Sequence, residues 1–159
     1  MGMPKAKVTA LLIGLGFTLN SSSGFGEEYS FPLTSGWKVT AYASFEGNAF
    51  AGTAKPDEFD EVSFTVDSKG TKHKCFSMAA LKANAKKIIA ELLRISQHED
   101  LLRCPKCGVR YVHAKEPLPG QKWKPFLSCE GMMIVGRGAN KHVACDGVSK
   151  KLPAVVEYR

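Results

Sequence analysis

Alternating apolar and polar residues predict β-strands in the first half of the chain. Val62, Phe64 and Val66 alternate cleanly with polar residues, so their side chains would share one face of a strand. Residues 68–71 contain the small and flexible residues that suit a hairpin turn. The pattern predicts three antiparallel strands, at residues 37–45, 62–67 and 72–76.

Apolar residues at helical spacing predict two helices. The longer covers residues 78–97, where an apolar stripe follows Ser77, a suitable N-cap. Residues 8–19 form a shorter apolar run that suits a helix buried against the sheet. Because lysines precede this run and serines follow it, residues 1–24 also have the outline of a signal peptide.

The order of these elements predicts an α+β fold. Residues 1–100 would form a small two-layer α/β domain, with a helix, a three-stranded antiparallel sheet and a long helix. Within it, glycines and a proline favour a loop over residues 24–36. In residues 101–159, prolines and glycines separate short apolar runs of strand length, which is typical of a β zinc ribbon, here followed by a basic tail.

The excess of positive charge is confined to the second part of the chain. The 159 residues carry a formal net charge of +7. Residues 1–100 hold 11 basic and 11 acidic residues, whereas residues 101–159 hold 11 basic and only 4 acidic ones. We therefore expect residues 101–159 to contact a polyanion such as nucleic acid. No apolar run approaches the roughly 20 residues that span a bilayer, so no membrane partner is expected.

Four of the five cysteines suit a metal site. Cys104 and Cys107 are separated by two residues and followed by a glycine, so both thiolates can point at one ion. Tetrahedral Zn²⁺ needs a second pair of ligands. That pair is either Cys129 and Cys145, or His142 and Cys145, which are also separated by two residues. Each set closes the coordination sphere, so both predict one structural Zn²⁺.

The odd number of cysteines bears on the cellular compartment. A secreted chain would keep one thiol unpaired, whereas four metal ligands and one core thiol, Cys75, suit a reducing cytosol. We therefore predict a cytoplasmic protein and interpret residues 1–24 as containing a buried helix rather than a signal peptide.

The cysteine motif resembles a known family. CPKCG at residues 104–108, a basic-aromatic stretch and PFLSC at residues 125–129 resemble the four-cysteine zinc ribbon repeated at the C-terminus of type IA DNA topoisomerases. The likeness covers about residues 104–145, and residues 1–100 do not share it. In that family the fourth cysteine follows shortly after the third, whereas here a longer insertion separates Cys129 from Cys145. The resemblance implies contact with single-stranded DNA.

Aromatic and basic side chains are interleaved in the same region. Trp123 lies between Lys122 and Lys124, and such a surface can stack on unpaired bases while it neutralises phosphates. The predicted nucleic-acid surface consists of Arg110, Tyr111, Lys122, Trp123, Lys124, Arg137 and Lys141.

These features predict a small non-enzymatic zinc protein that binds nucleic acid, with single-stranded or distorted DNA favoured. In the alternative, the ribbon is only structural, and residues 37–97 bind a protein partner as an adaptor or inhibitor. Neither a phosphate-binding glycine loop nor a nucleophile motif is present in the sequence. A third hypothesis is a nuclease that uses the acidic residues at 57–61.

Overall fold

A mixed sheet of ten strands forms most of the computed structural model, which describes residues 2–132 and 134–159. Its strands are β1 (Met3–Pro4), β2 (Thr18–Ser22), β3 (Gly26–Pro32), β4 (Lys38–Glu46), β5 (Lys55–Val66), β6 (Lys69–Cys75), β7 (Val112–Lys115), β8 (Phe126–Cys129), β11 (Val148–Ser149) and β12 (Val155–Tyr158). A separate hairpin consists of β9 (Ile134–Val135) and β10 (His142–Val143). The described residues also include α1 (Lys5–Leu15), α2 (Met78–Ser96) and single 3₁₀ turns at Glu99–Leu101 and Gly138–Asn140.

The strand order runs β11-β8-β7-β6-β5-β4-β3-β2 across the sheet. Neighbours are antiparallel except at β6, which pairs with β7 in parallel through one bridge between Gly70 and His113. Two strands lie off this path: β1 pairs with β5, and β12 pairs with β6 in parallel. Strand β6 therefore connects the sheet of the first part of the chain to the strands around the cysteines.

The predicted fold class for residues 1–100, a small two-layer α/β domain with a three-stranded antiparallel sheet, is wrong. The three predicted strands exist as β4, β5 and β6 and are antiparallel neighbours, but they belong to the ten-stranded mixed sheet. Strand β2 is exposed along its whole length, so it has no alternation of apolar and polar residues. Residues 24–36, predicted as a loop, contain β3, in which a Cβ on Gly26 would lie 2.2 Å from the carbonyl oxygen of Ala43. That glycine allows close strand pairing rather than marking a turn.

Both predicted helices exist, but the shorter one covers Lys5–Leu15 instead of residues 8–19, because the chain turns at Gly16 and residues 18–19 belong to β2. Ser77 caps α2, because its side chain accepts a hydrogen bond from the backbone N–H of Ala80 at 3.1 Å. The buried stripe of α2 packs on β5 and β6. Helix α1 ends at Gly16, which adopts a left-handed conformation with φ of 108°. Across the described residues, neither helix has both the length and the apolar character required to cross a bilayer.

Residues 101–154, called the cysteine-rich part below, pack directly on residues 1–100. The rings of Tyr111 and Trp37 meet edge to face with centroids 5.2 Å apart. Leu102 is fully buried in the main hydrophobic core, and Leu152 contacts both this core and the smaller core around the cysteines. Strand β12 follows, and the backbone N–H of Phe76 donates to the carbonyl of Tyr158 at 3.1 Å.

Buried His73 on β6 gives the fold a pH dependence. Its Nδ1 lies 2.8 Å from the hydroxyl of Tyr158, and burial lowers the pKa of the imidazole. As pH falls below about 6.5, the unfolded chain binds a proton that the folded protein excludes until its lower pKa is reached. The free energy of unfolding should therefore decrease with falling pH in this window, by at most about 1.4 kcal/mol per pH unit for this group.

Urea titrations between pH 7 and 5 check this, with each variant compared with the wild type at the same pH. His73→Phe should reduce the pH dependence, and the same substitution at the exposed His98 is the matched control for a histidine-to-phenylalanine change. Equal pH dependence in the wild type and His73→Phe would contradict the assignment.

Candidate metal centre

Four cysteine side chains converge between the strands of the second part of the chain. Cys104 and Cys107 lie in the turn before β7, Cys129 is the last residue of β8, and Cys145 precedes β11. Their sulfur atoms all lie within 4.8 Å of one another. The Sγ atoms of Cys104 and Cys145 are 3.8 Å apart, as are those of Cys107 and Cys129.

This spacing fits a tetrahedral metal ion. Four sulfurs at about 2.3 Å from a central Zn²⁺ would be about 3.8 Å from each other, because that is the edge of the tetrahedron. No disulfide joins these cysteines. Three of the four are buried and Cys107 is half-buried. The four cysteines are therefore positioned to bind a metal ion.

Backbone N–H groups point at three of the four sulfurs. Gly131 donates to the Sγ of Cys129 at 3.3 Å, and Gly147 donates to that of Cys145 at 3.4 Å. The N–H of Arg110 lies 3.5 Å from the Sγ of Cys107. Such donors stabilise thiolates and orient the ligands of a metal. The site is thus built to hold negative charge on sulfur.

The pKa values of the thiols follow their surroundings. The backbone N–H groups of Arg110 and Val109 lower the pKa of Cys107 to about 6. Burial raises the pKa of Cys129 to about 12. Because thiols bind metals as thiolates, metal binding must displace the proton of Cys129, and affinity should decrease with falling pH.

The alternative ligand His142 and the fifth cysteine lie elsewhere in the described structure. His142 is exposed on β10, and its Nδ1 is 2.8 Å from the carbonyl oxygen of Asn140. Cys75 is fully buried in β6, where burial raises its pKa to about 11. The thiol of Cys75 is consequently protonated and inert at neutral pH.

Two glycines support the sulfur ligands of this site, and the role of Gly131 was missed from the sequence. Gly131 and Gly147 each stand two residues after a ligand, in the repeated pattern Cys-x-Gly, and both supply the N–H donors described above. A Cβ on Gly147 would lie 2.2 Å from the Sγ of Cys104. The repeated Cys-x-Gly pattern was the sequence signal for their role. An ion pair between Lys106 and Asp146 also joins the two cysteine turns.

Most of the predicted nucleic-acid residues lie on the surface. Trp123 is 41% exposed, and Lys122 and Lys124 beside it are exposed. The ring of Trp123 contacts that of Phe126, with centroids 5.6 Å apart, and its Nε1 donates to the side chain of Gln121. Three further basic side chains are exposed as well: Arg110, Arg137 and Lys141.

Tyr111 is placed differently from the other predicted residues. Its ring is enclosed by Trp37, the guanidinium of Arg103 at 4.9 Å and the ammonium of Lys69 at 5.5 Å. Its hydroxyl contacts the carboxylate of Glu99. Tyr111 thus joins the cysteine-rich part to residues 1–100.

The acidic residues at 57–61 lie in β5 rather than in a loop. Glu61 pairs with Lys74 at 3.5 Å, and burial raises the pKa of Asp60. In the part of the chain that the structure describes, the group of metal-binding side chains is that of the four cysteines.

No protein-family model matches the chain, and neither a curated protein nor a solved structure is significantly similar to it. The four-cysteine cluster agrees with a zinc ribbon, while the likeness to the topoisomerase ribbon depends on the sequence motif alone.

Proposed function

We propose that the protein binds one structural Zn²⁺ through Cys104, Cys107, Cys129 and Cys145. The support is the set of sulfur positions, whose 3.8 Å separations match a tetrahedral S₄ site. Thiolate sulfur also favours zinc over calcium or magnesium, which take oxygen ligands. Four protein ligands leave no open coordination position, so the ion would stabilise the fold and would not activate water.

We propose further that the surface around this zinc site binds nucleic acid, with single strands favoured. The observation that carries this proposal is the exposed indole of Trp123 between two exposed lysines, in the part of the chain that holds all the net positive charge. Exposed aromatic rings stack on unpaired bases, and the neighbouring ammonium groups attract phosphates. Arg110, Arg137 and Lys141 would extend the contact.

Replacing Trp123 with Ala should weaken binding to a short labelled single strand by about tenfold, because stacking contributes about 1 to 3 kcal/mol per base. Fluorescence anisotropy at several salt concentrations measures this. In the double variant Lys122→Gln, Lys124→Gln, the slope of log K against log salt concentration should become shallower by about 0.7 per lost phosphate contact.

Phe50→Ala is the matched control, because it removes an aromatic ring that is 89% exposed but lies in the loop between β4 and β5. It should leave binding unchanged. If the wild type binds neither single- nor double-stranded DNA or RNA at low salt, the nucleic-acid proposal is wrong.

A second candidate function is protein binding through residues 37–97. One observation favours it: the ring of Phe50 in this range is exposed and contacts the exposed ring of Phe25, which precedes the range, with centroids 5.2 Å apart. Paired exposed aromatics are typical anchors of protein interfaces. In that case Phe50→Ala would abolish capture of a specific partner, and Trp123→Ala would not.

A further inference from the structure

A groove of about 450 Å³ lies on the ten-stranded sheet where β4 and β5 approach the cysteine-rich part, and most of the residues that line it carry polar side chains. Its floor is formed by the sides of β4 and β5 that face away from the main core, and His113 and Glu130 also line it. This volume falls in the range of small-molecule sites, about 300 to 1,000 Å³. The proposed zinc and nucleic-acid functions do not use it.

The floor of the groove consists of hydroxyl side chains. Thr40, Ser63 and Thr65 line it and are each only 8% exposed, and the phenol ring of Tyr42 lies beside them. Hydroxyl groups both donate and accept hydrogen bonds. Within the protein, the Ser63 hydroxyl donates to the carbonyl oxygen of Tyr42 at 3.5 Å, and the Thr65 hydroxyl accepts from the N–H of Ser68 at 3.0 Å. The Thr65 O–H and the second lone pair of each oxygen can still meet a ligand that carries hydroxyl groups, and the phenol ring can contact a flat ring.

Basic side chains gather around His113. Lys69 and Lys72 line the groove, and their charges, with that of Lys115, add to the effect of burial in lowering the pKa of His113. Each of the two lining lysines has a partly exposed partner, since Lys69 lies 3.4 Å from Glu130 and Lys72 lies 2.8 Å from Glu116. A phosphate can share these ammonium groups, because each ammonium carries three N–H donors.

Carboxylates also line the groove, from Glu28, Asp67 and Glu130. Acidic side chains are the acceptors that dinucleotide sites use for ribose hydroxyls. Hydroxyl groups, carboxylates and lysines in one groove thus match the sugar and the phosphate of one nucleotide.

Two residues in the turn at the edge of the groove have side chains although their backbone conformation favours glycine. Asp67 and Ser68 adopt positive φ values of 49° and 65° in the hairpin between β5 and β6. Asn-Gly is the preferred sequence for such a turn. Here instead both side chains line the groove.

We infer that this groove binds a ribonucleotide unit, with the phosphate near Lys69 and Lys72 and the ribose hydroxyls on the Ser63 and Thr65 floor. The unit is either a free nucleotide or part of an RNA strand held by the zinc module. The strand case rests on the proposed nucleic-acid binding, whereas the free-nucleotide case does not. A free ribonucleotide and an RNA strand both carry the ribose 2′-hydroxyl, which the sugar of DNA lacks.

Titration with 5′-AMP and 2′-deoxy-5′-AMP, followed by NMR of the full chain, tests the groove itself. AMP should shift the resonances of β4, β5 and His113, with an affinity about five- to tenfold higher than that of the deoxynucleotide. Thr65→Val and Ser63→Ala should remove this preference. Ser44→Ala, a change on β4 outside the groove, should not.

Ser68→Gly adds a variant that should fold at least as well as the wild type, since glycine favours positive φ, yet bind AMP more weakly. Absence of groove shifts with AMP, or equal affinity for both nucleotides, overturns the inference even if Trp123→Ala weakens strand binding. Matched RNA and DNA oligonucleotides identify the source. An RNA preference that is lost in Thr65→Val supports a strand in the groove, and groove binding of AMP without RNA preference supports a free nucleotide.

Discussion

Cys145→Ser is expected to abolish stoichiometric metal binding and to unfold the residues around the cysteines. The small core there contains three of the four cysteines together with only two other buried residues, Val112 and Leu127. Because this small core buries so few apolar side chains, we expect a bound metal to supply much of the stabilisation of the cysteine turns, in addition to their contacts with the main core. In zinc-finger peptides the ion contributes about 10 to 16 kcal/mol at neutral pH. A strong chelator should have the same effect on the wild type.

Metal analysis of the purified protein and the absorption of its cobalt-substituted form measure this effect. Limited proteolysis between residues 103 and 149 reports the accompanying loss of structure. Cys75→Ala is the matched control, because this thiol is buried in β6 and lies outside the cluster. It should keep one metal per chain. Equal metal content in Cys145→Ser and Cys75→Ala would rule out the proposed ligand set.

Gly147→Ala should be nearly as damaging as loss of a ligand. The added Cβ would lie 2.2 Å from the Sγ of Cys104 and 3.4 Å from that of Cys145, and carbon atoms in proteins do not approach sulfur at the first distance. The two ligands would have to move apart, which breaks the tetrahedral spacing. Metal affinity should fall by about 100-fold or more, at the upper end of the losses seen when supporting residues of metal sites are changed.

Competition with a chromophoric chelator measures this affinity. Gly24→Ala provides the control, because a Cβ at Gly24 meets nothing within 4 Å. Because Gly24 lies in the turn between β2 and β3, the Gly24→Ala protein should bind metal with the affinity of the wild type. A Gly147→Ala protein with unchanged affinity would show that the cysteine turns are more adaptable than the structure indicates.

Local signals predicted the elements that bury one clear face. Strand β5 and helix α2 follow from their apolar periodicity, and Ser77 marks the start of the helix because its side chain replaces a missing backbone partner. The half-site Cys104-x-x-Cys107 was likewise predicted from its short spacing, whereas the second pair, distant in sequence, was left open between Cys129 with Cys145 and His142 with Cys145. In β5, α2 and this half-site, the residues that decide the structure are close in sequence.

The size of the sheet was not predictable in this way. Strand β2 pairs with β3 through its backbone and through one side-chain hydrogen bond, from Ser30 to Asn20, and it buries no side chain, so its sequence carries no pattern of apolar and polar residues. Strand β12 pairs with β6 across more than 80 residues, and nothing local specifies that contact. Gly131 was missed because its role, an N–H donor to Cys129, depends on a turn that forms around the metal ligands.

The position of β12 has a consequence for folding during synthesis. The ribosome produces β6 long before β12, so the edge of β6 that will receive residues 155–158 stays open while the cysteine-rich part is being made. Open edges can pair with other chains, and contacts between distant residues form slowly. We therefore expect the nascent chain to be more prone to self-association at this edge than the finished protein, in which residues 155–158 cover it.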